Sequence, residues 1–234
     1  MSRPGARELG NILITGGASG LGAATAAAVR AEGGTPLIID RDKPDPELAW
    51  EYADLADSQD AEEAVARLLT RVDGRLDGVF TAAGTDVCGP LDGVSTADWE
   101  RVVRVNLFGT AAVVRAALPA LRASHGTVVT VASTLGIKAV GDATAYCASK
   151  FGVVGFTRAL AAETRGEVGV TLLVPGGMHT AFFDGRPEQY APPPDVTLNQ
   201  PEDVAQTVLF ALTRPPGCEV RELVVCHSTE GSWP

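Results

Sequence analysis

The sequence predicts a doubly wound α/β fold, in which a parallel sheet of about seven strands carries helices on both faces and residues 1–234 form one domain. Three observations predict it. Short, apolar, β-branched runs alternate with amphipathic or alanine-rich segments along the whole chain. A glycine-rich turn, Thr15-Gly-Gly-Ala-Ser-Gly-Leu-Gly22, stands between the first such run and the first helical segment. No repeat, low-complexity tract or linker interrupts the alternation, and 45% hydrophobic content is enough for one large core.

Asn11-Ile-Leu-Ile-Thr15, bounded by Gly10 and Gly16, reads as a buried strand. The glycine turn and an alanine-rich helix to about Glu32 follow it. Strand, glycine turn and helix in that order form a setting for a dinucleotide. Gly16, Gly20 and Gly22 would let the backbone approach a pyrophosphate, and the helix N-terminus would offer it free N–H groups. A glycine loop without a ligand would look the same. Thr35-Pro-Leu-Ile-Ile-Asp40 is a second strand ending in an acid, 24 residues beyond Gly16. There a carboxylate can accept the adenosine ribose hydroxyls, and a 2′-phosphate would meet like charge, which favours NAD over NADP. Arg41 complicates this: it either covers the adenine, faces solvent or serves a phosphate. Asp40 could also be an ordinary strand-end turn residue.

After a proline-bearing loop from Asp42 to Glu47, the run from Trp50 to Leu55 reads as a third strand ending near Asp54. Ser58 to Val72 is an amphipathic helix, with Ser58 expected as its N-cap and Ala64, Val65, Leu68 and Leu69 facing inward. Leu76 to Gly84 is a fourth strand running into a turn of small residues. Thr96-Ala-Asp-Trp-Glu opens a long helix with Thr96 expected to cap it. Asn106 lies inside that helix, where its apolar neighbours suggest a buried and therefore hydrogen-bonded amide.

Gly126 to Ser133 is a fifth strand that delivers Ser133 to its C-terminal end, the edge where an open parallel sheet has its ligand crevice. The stretch Asp142 to Glu163 has a helical rhythm, with Phe151, Val154, Phe156 and Leu160 expected to seat one face on the sheet. Tyr146 and Lys150, four apart, share a face. An ammonium beside a phenol lowers the phenol pKa and makes it a usable proton donor or acceptor, although a surface helix with an ordinary Tyr and Lys has the same spacing. Asp142 suits an N-cap or a polar substrate contact, and Cys147 points away as packing. Val168 to Val174 is a sixth strand closed by Pro175-Gly176-Gly177. An irregular stretch at about 177–200, with Phe182, Phe183, Tyr190 and three prolines, reads as a substrate loop. A final helix starts at Pro201, and Glu222 to Cys226 is the last strand.

Composition excludes several functions. With net charge −10 and no basic run, nucleic acid and anionic membrane are unexpected partners. No apolar stretch approaches the ~20 residues that span a bilayer, and the N-terminus Met1–Glu8 lacks the apolar core of a secretion signal. Four scattered cysteines suggest reduced thiols and a cytoplasmic location. Three histidines, none at ligand spacing, leave no metal site to expect.

Taken together, these residues resemble the classical short-chain dehydrogenase/reductase family over nearly the whole chain, with its Rossmann-type fold. The resemblance rests on Thr15-Gly-x-x-x-Gly20-x-Gly22, Asp54 after the third strand, and Asn106 in Asn-Leu-Phe-Gly. It continues with Ser133 thirteen residues before Tyr146, Tyr146-x-x-x-Lys150, and Pro175-Gly176 followed by Thr180. It implies that Tyr146 is the general acid/base, and that Lys150 lowers its pKa and bonds the nicotinamide ribose. Ser133 would hold the substrate oxygen, and Asn106 would support a proton-relay water. Asp54 would reach adenine, and the turn from Pro175 through Met178 to Thr180 would hold the carboxamide. Leu21, Leu55, Ala82, Ala83 and Gly84 would line the cofactor.

Thr81-Ala-Ala-Gly84 departs from the family's Asn-Asn-Ala-Gly, and Ser19 replaces a residue that is basic in many NADP-using members. His179, beside the nicotinamide position, reads as a solvated loop residue or a substrate contact. The implied activity interconverts an alcohol and a ketone or aldehyde with NAD as cofactor. The alternatives are an NADPH-dependent ketoreductase and a non-catalytic dinucleotide sensor. A small-molecule substrate in an apolar pocket formed by Val87, Leu135, Phe182, Phe183 and Tyr190 is expected. So is a homodimer or homotetramer.

Overall fold

The computed structural model describes residues 7–233; most of the N-terminal segment read above for a secretion signal lies outside them, as does Pro234. Among the described residues seven strands form one sheet: β1 (Asn11–Thr15), β2 (Thr35–Asp40), β3 (Ala49–Tyr52), β4 (Gly78–Thr81), β5 (Thr127–Val131), β6 (Gly169–Pro175) and β7 (Glu222–Val225). Their order is β3-β2-β1-β4-β5-β6-β7, and every pairing is parallel. The chain therefore winds outward one way from β1 through β2 and β3, then returns to start again at β4. This reversal, where Thr15 pairs with Thr81, is the switch point at which such sheets leave a crevice beyond their carboxyl ends.

The apolar runs become central strands because both faces are covered. Helices α1 (Gly20–Ala31) and α6 (Pro201–Leu212) cover one face, burying Val29, Val204 and Val208 against Ile12, Ile14, Ile38 and Phe80. On the other face α2 (Ser58–Thr70), α4 (Thr110–Ser124) and α5 (Thr144–Glu163) bury Val65, Leu68, Val113 and Leu160 against Leu13, Leu37, Val79 and Val128. This is the doubly wound sheet expected from the alternation, with the Rossmann-type architecture that the family resemblance implies.

Several local expectations shift. The third strand ends at Tyr52, two residues short of Asp54. The cap of α2 is Asp57, whose carboxylate accepts from the Gln59 and Asp60 N–H groups, so Ser58 is already the first helical residue. Ser95, not Thr96, caps α3 (Thr96–Val103), accepting from Asp98 N–H while its own hydroxyl donates to the Asp98 carboxylate. Phe151 is 44% exposed, whereas Val153 and Val154 are buried in one cluster with Leu172 and Val174 of the sheet.

A π-helical turn, Arg104–Gly109, joins α3 to α4, so the helical run extends from Thr96 to Ser124. Contrary to expectation it is long and apolar enough to cross a bilayer, with mean hydropathy 1.3. Half of its most apolar window is nevertheless buried within the fold.

Candidate active site

A cavity of about 850 Å³ runs along the carboxyl edge of the sheet, from the glycine turn after β1 to the loop after β6. Its floor begins at Gly16, where the chain turns with φ +71°, and a Cβ there would come within 2.8 Å of Ala83 backbone. A Cβ on Gly22 would stand 2.0 Å from the Gly16 carbonyl oxygen, so the turn folds tightly onto the start of α1. Ser19, at the N-cap, makes no side-chain capping bond, which leaves the first-turn N–H groups of α1 available to an anion. These features fit a pyrophosphate.

Gly20, Leu21 and Gly22 line the cavity, as do Asp40, Arg41, Asp54, Leu55, Ala82 and Ala83. Gly84 and the turn residues Pro175, Gly176, Met178 and Thr180 line it too. Asp40 braces the loop: its Oδ2 accepts from Ala18 N–H at 2.9 Å and its Oδ1 from Asp42 N–H at 3.0 Å. Asp54 is held by Arg101, whose Nη2 lies 3.2 and 3.1 Å from its two oxygens. Although burial opposes it, the Ala56 N–H and Arg101 together hold that carboxyl below its usual range.

At the other end, α5 carries Tyr146 and Lys150 one turn apart, with Lys150 Nζ 5.6 Å from the Tyr146 ring centre. Lys150 is 4% exposed and donates to the Val131 carbonyl at 3.0 Å, so the end of β5 fixes it. Burial pulls its pKa down to about 8, against an opposing pull from Asp86. The Tyr146 phenol moves the other way: burial pushes it above its ordinary value, and the nearby Ser133 hydroxyl draws it partly back. The expectation that Lys150 lowers this pKa does not describe the balance found, because desolvation of the phenolate outweighs every attraction on it.

Asn106 is buried at the π-helical turn, where its Oδ1 accepts from Thr85 N–H at 2.8 Å and its amide donates to the Thr85 carbonyl and Ser149 Oγ. Mid-helix placement is tolerated because the amide ties α5 to the turn after β4. Ser133 Oγ accepts from Leu135 N–H, and Thr180 Oγ1 from Phe182 N–H.

Comparison with known proteins decides the family. Residues 10–191 match the short chain dehydrogenase family model. This chain belongs to the short-chain dehydrogenase/reductase family. Levodione reductase from Leifsonia aquatica is 33% identical over 198 residues, covering 77% of this chain and 74% of that one. The short-chain dehydrogenase/reductase olcF from Penicillium canescens is 30% identical over 233 residues, covering 85% and 88%. The crystal structure of levodione reductase superposes with TM-score 0.81 at 29% identity, covering 93% of this chain and 96% of that one. An alcohol dehydrogenase from Thermococcus sibiricus, solved with 5-hydroxy-NADP, gives TM-score 0.83 at 22% identity over 94% and 97%, which speaks to the fold alone.

In this short-chain dehydrogenase most of the predicted residues gather along one crevice, with these differences. Asn106 does not line it but lies behind its wall, bonded to Thr85 and Ser149. Asp142 does not cap α5; it sits at φ +56° and accepts from the Tyr190 hydroxyl at 2.9 Å. Tyr190 thus fastens the loop from outside, and neither it nor Val87 lines the cavity, whereas Leu135, Phe182 and Phe183 do. His179 is exposed and Cys147 buried.

The charged lining residues Asp86, Arg101, Arg186 and Glu230 are among those that escaped the sequence reading, the last accepting from Gly177 N–H at 3.1 Å. Asp86, two residues past the glycine turn of β4, was discoverable from its place at the ligand edge. The others come from distant segments with no shared spacing.

Proposed function

We propose that this short-chain dehydrogenase interconverts an alcohol and a ketone or aldehyde using NAD(H), with Tyr146 as general acid/base. The observation that carries the reading is the convergence of Ser133, Tyr146 and Lys150 beneath the substrate loop, which through Phe182, Phe183 and Arg186 forms a lid over the far end of a cavity that begins at the glycine turn. A bound nicotinamide supplies the hydride exchanged with the substrate carbon. The chain's own residues handle the proton and the orientation. Ser133 and Tyr146, side by side at that end of the cavity, address the same substrate oxygen. Burial keeps the phenol protonated at neutral pH, so it delivers its proton to a carbonyl oxygen in reduction and recovers one in oxidation. Lys150, protonated below about pH 8, favours the phenolate that forms as that proton leaves. Asn106 holds the turn after β4 against α5 and keeps Lys150 in register.

NAD rests on Asp40, whose carboxylate lines the adenine end and would repel a 2′-phosphate. NADP is the second reading: Arg41 and Arg101 line the same end, and both oxygens of Asp40 already accept backbone N–H groups. A homodimer or homotetramer is supported by Phe108 and Phe151, exposed on adjacent helical segments at 53% and 44%. The four free cysteines fit a reducing cytoplasm. The test follows absorbance of reduced nicotinamide, as NADH and as NADPH, across a panel of ketones and aldehydes. Consumption of neither nucleotide with any of them sinks the reading, and faster turnover with NADPH transfers it to NADP.

A further inference from the structure

The lid brings a charged residue to the reacting end of the cavity. Arg186 Nη2 lies 3.0 Å from Asp86 Oδ2, with the two side chains 16% and 5% exposed. Its guanidinium stacks on Phe182 and Phe183, 4.8 and 4.7 Å from their ring centres. Phe182 in turn packs 5.7 Å from the Tyr146 ring. Asp86 is two residues beyond Gly84, where an added Cβ would stand 3.6 Å from Lys150 Nζ. The ion pair therefore sits beside the catalytic tyrosine and lysine, yet the hydride and proton chemistry uses neither member.

A pair this covered is costly to desolvate, and an aromatic lid could close without one. Its hydrogen bonding is uneven. Oδ2 faces the Arg186 guanidinium as an ion pair and accepts from the Cys88 thiol at 3.3 Å, whereas Oδ1 is buried with no partner among the described residues. A buried carboxylate oxygen on a cavity wall calls for a donor. Arg186 already matches the charge, so a neutral O–H suits this oxygen better than a second cation.

We propose that Asp86, oriented by Arg186, accepts a hydrogen bond from a substrate hydroxyl one or two carbons from the reacting carbon, which makes the substrates hydroxy ketones and the corresponding diols. The proposal rests on the alcohol–ketone reading above. Because Oδ1 is buried, the hydroxyl reaches it as neighbouring side chains shift. Water can serve the oxygen between turnovers, and only a substrate bringing its own O–H replaces that bond on displacing it.

The experiment compares kcat/KM for 3-hydroxy-2-butanone and 4-hydroxy-2-butanone with that for 2-butanone, in wild type and in Asp86→Asn. A hydrogen bond to a charged acceptor predicts that wild type favours one of the hydroxy ketones by about 10- to 100-fold. In Asp86→Asn the amide oxygen keeps Arg186 and the amide N–H₂ takes the place of Oδ1, so an acceptor becomes a donor. The preference should collapse and pass to 2,3-butanedione. Without turnover, 2,3-butanediol should raise the melting temperature of the nucleotide-loaded Tyr146→Phe protein more than 2-butanol does, and adding Asp86→Asn should abolish the difference.

Wild type reducing all three monoketones equally, or Asp86→Asn keeping the hydroxy-ketone preference, overturns the proposal and leaves the oxidoreductase reading standing. Wild type reducing no carbonyl compound with either nucleotide overturns both.

Discussion

Replacing Gly22 by alanine tests whether the glycine turn is shaped for close backbone approach. The new Cβ would lie 2.0 Å from the Gly16 carbonyl oxygen, 2.6 Å from its carbon and 3.1 Å from Gly17 N, where ordinary contact begins near 3.4 Å. All three are backbone atoms, so no side chain can rotate aside; α1 must move away from the turn. Overpacking of this kind costs ~1–3 kcal/mol or more, and the better helix propensity of alanine returns at most ~1 kcal/mol. With a net loss of ~2 kcal/mol and ~2–4 °C per kcal/mol for a chain of this size, melting should fall by ~4–8 °C. Dinucleotide affinity, read by fluorescence of bound reduced nicotinamide, should fall at least tenfold, because the N–H groups of α1 no longer face the phosphates. Gly20→Ala is the informative partner. Its Cβ meets only Thr180, at 3.4 Å, but φ is +51°, so its cost should be the ~1–2 kcal/mol of a left-handed residue. A Gly22→Ala protein that melts with wild type and binds nucleotide as tightly would refute the steric argument.

Tyr146→Phe should lower kcat by ~100-fold or more while nucleotide affinity is retained; activity within threefold of wild type in steady-state assays would remove the phenol from the mechanism. Asp40→Ala should weaken NAD binding and improve NADP binding in parallel titrations, and a wild type that already prefers NADP would contradict the role given to Asp40. The buried Lys150 makes stability depend on pH. Its pKa of about 8 lies below the unfolded value of 10.5, so between these limits the unfolded chain holds more protons and stability rises with pH. Urea denaturation at pH 8, 9 and 10 should show this rise, on the order of 3 kcal/mol at its limit, and Lys150→Met should flatten it. Tyr146, whose folded pKa is raised, works in the opposite sense above pH 10, so the rise is best read below that.

Most strands were legible because their β-branched, apolar character comes from burial on both faces, which a parallel sheet requires of its central members. Boundaries and caps were less so. Asp57 and Ser95 each precede a residue equally able to cap, and only backbone geometry picks between such neighbours. Phe151 failed for a similar reason: a helix rich in alanine and glycine has no sharp apolar stripe, so its rotation is set by what it packs against. Of the site, helical spacing put Tyr146 and Lys150 on one face and strand order put Ser133 at the ligand edge, while Asn106 and the roles of all four came from the family resemblance. Asp86 and Arg186 are a hundred residues apart, and Arg186 lies in an irregular loop that has no period to read.

From the order of its residues alone this protein specified a parallel sheet, a phosphate-ready glycine turn and a tyrosine–lysine pair at its ligand edge. Each follows from local spacing: two residues per strand repeat, four per helical turn, and glycine where backbones must touch. Tertiary structure decided the charge states and the company those groups keep. It raised the phenol and lowered the lysine by taking both from water, pinned Asp54 with Arg101, and laid an arginine from the lid on Asp86. Desolvation and long-range ion pairing depend on which segments meet in space, and no spacing along the chain encodes that.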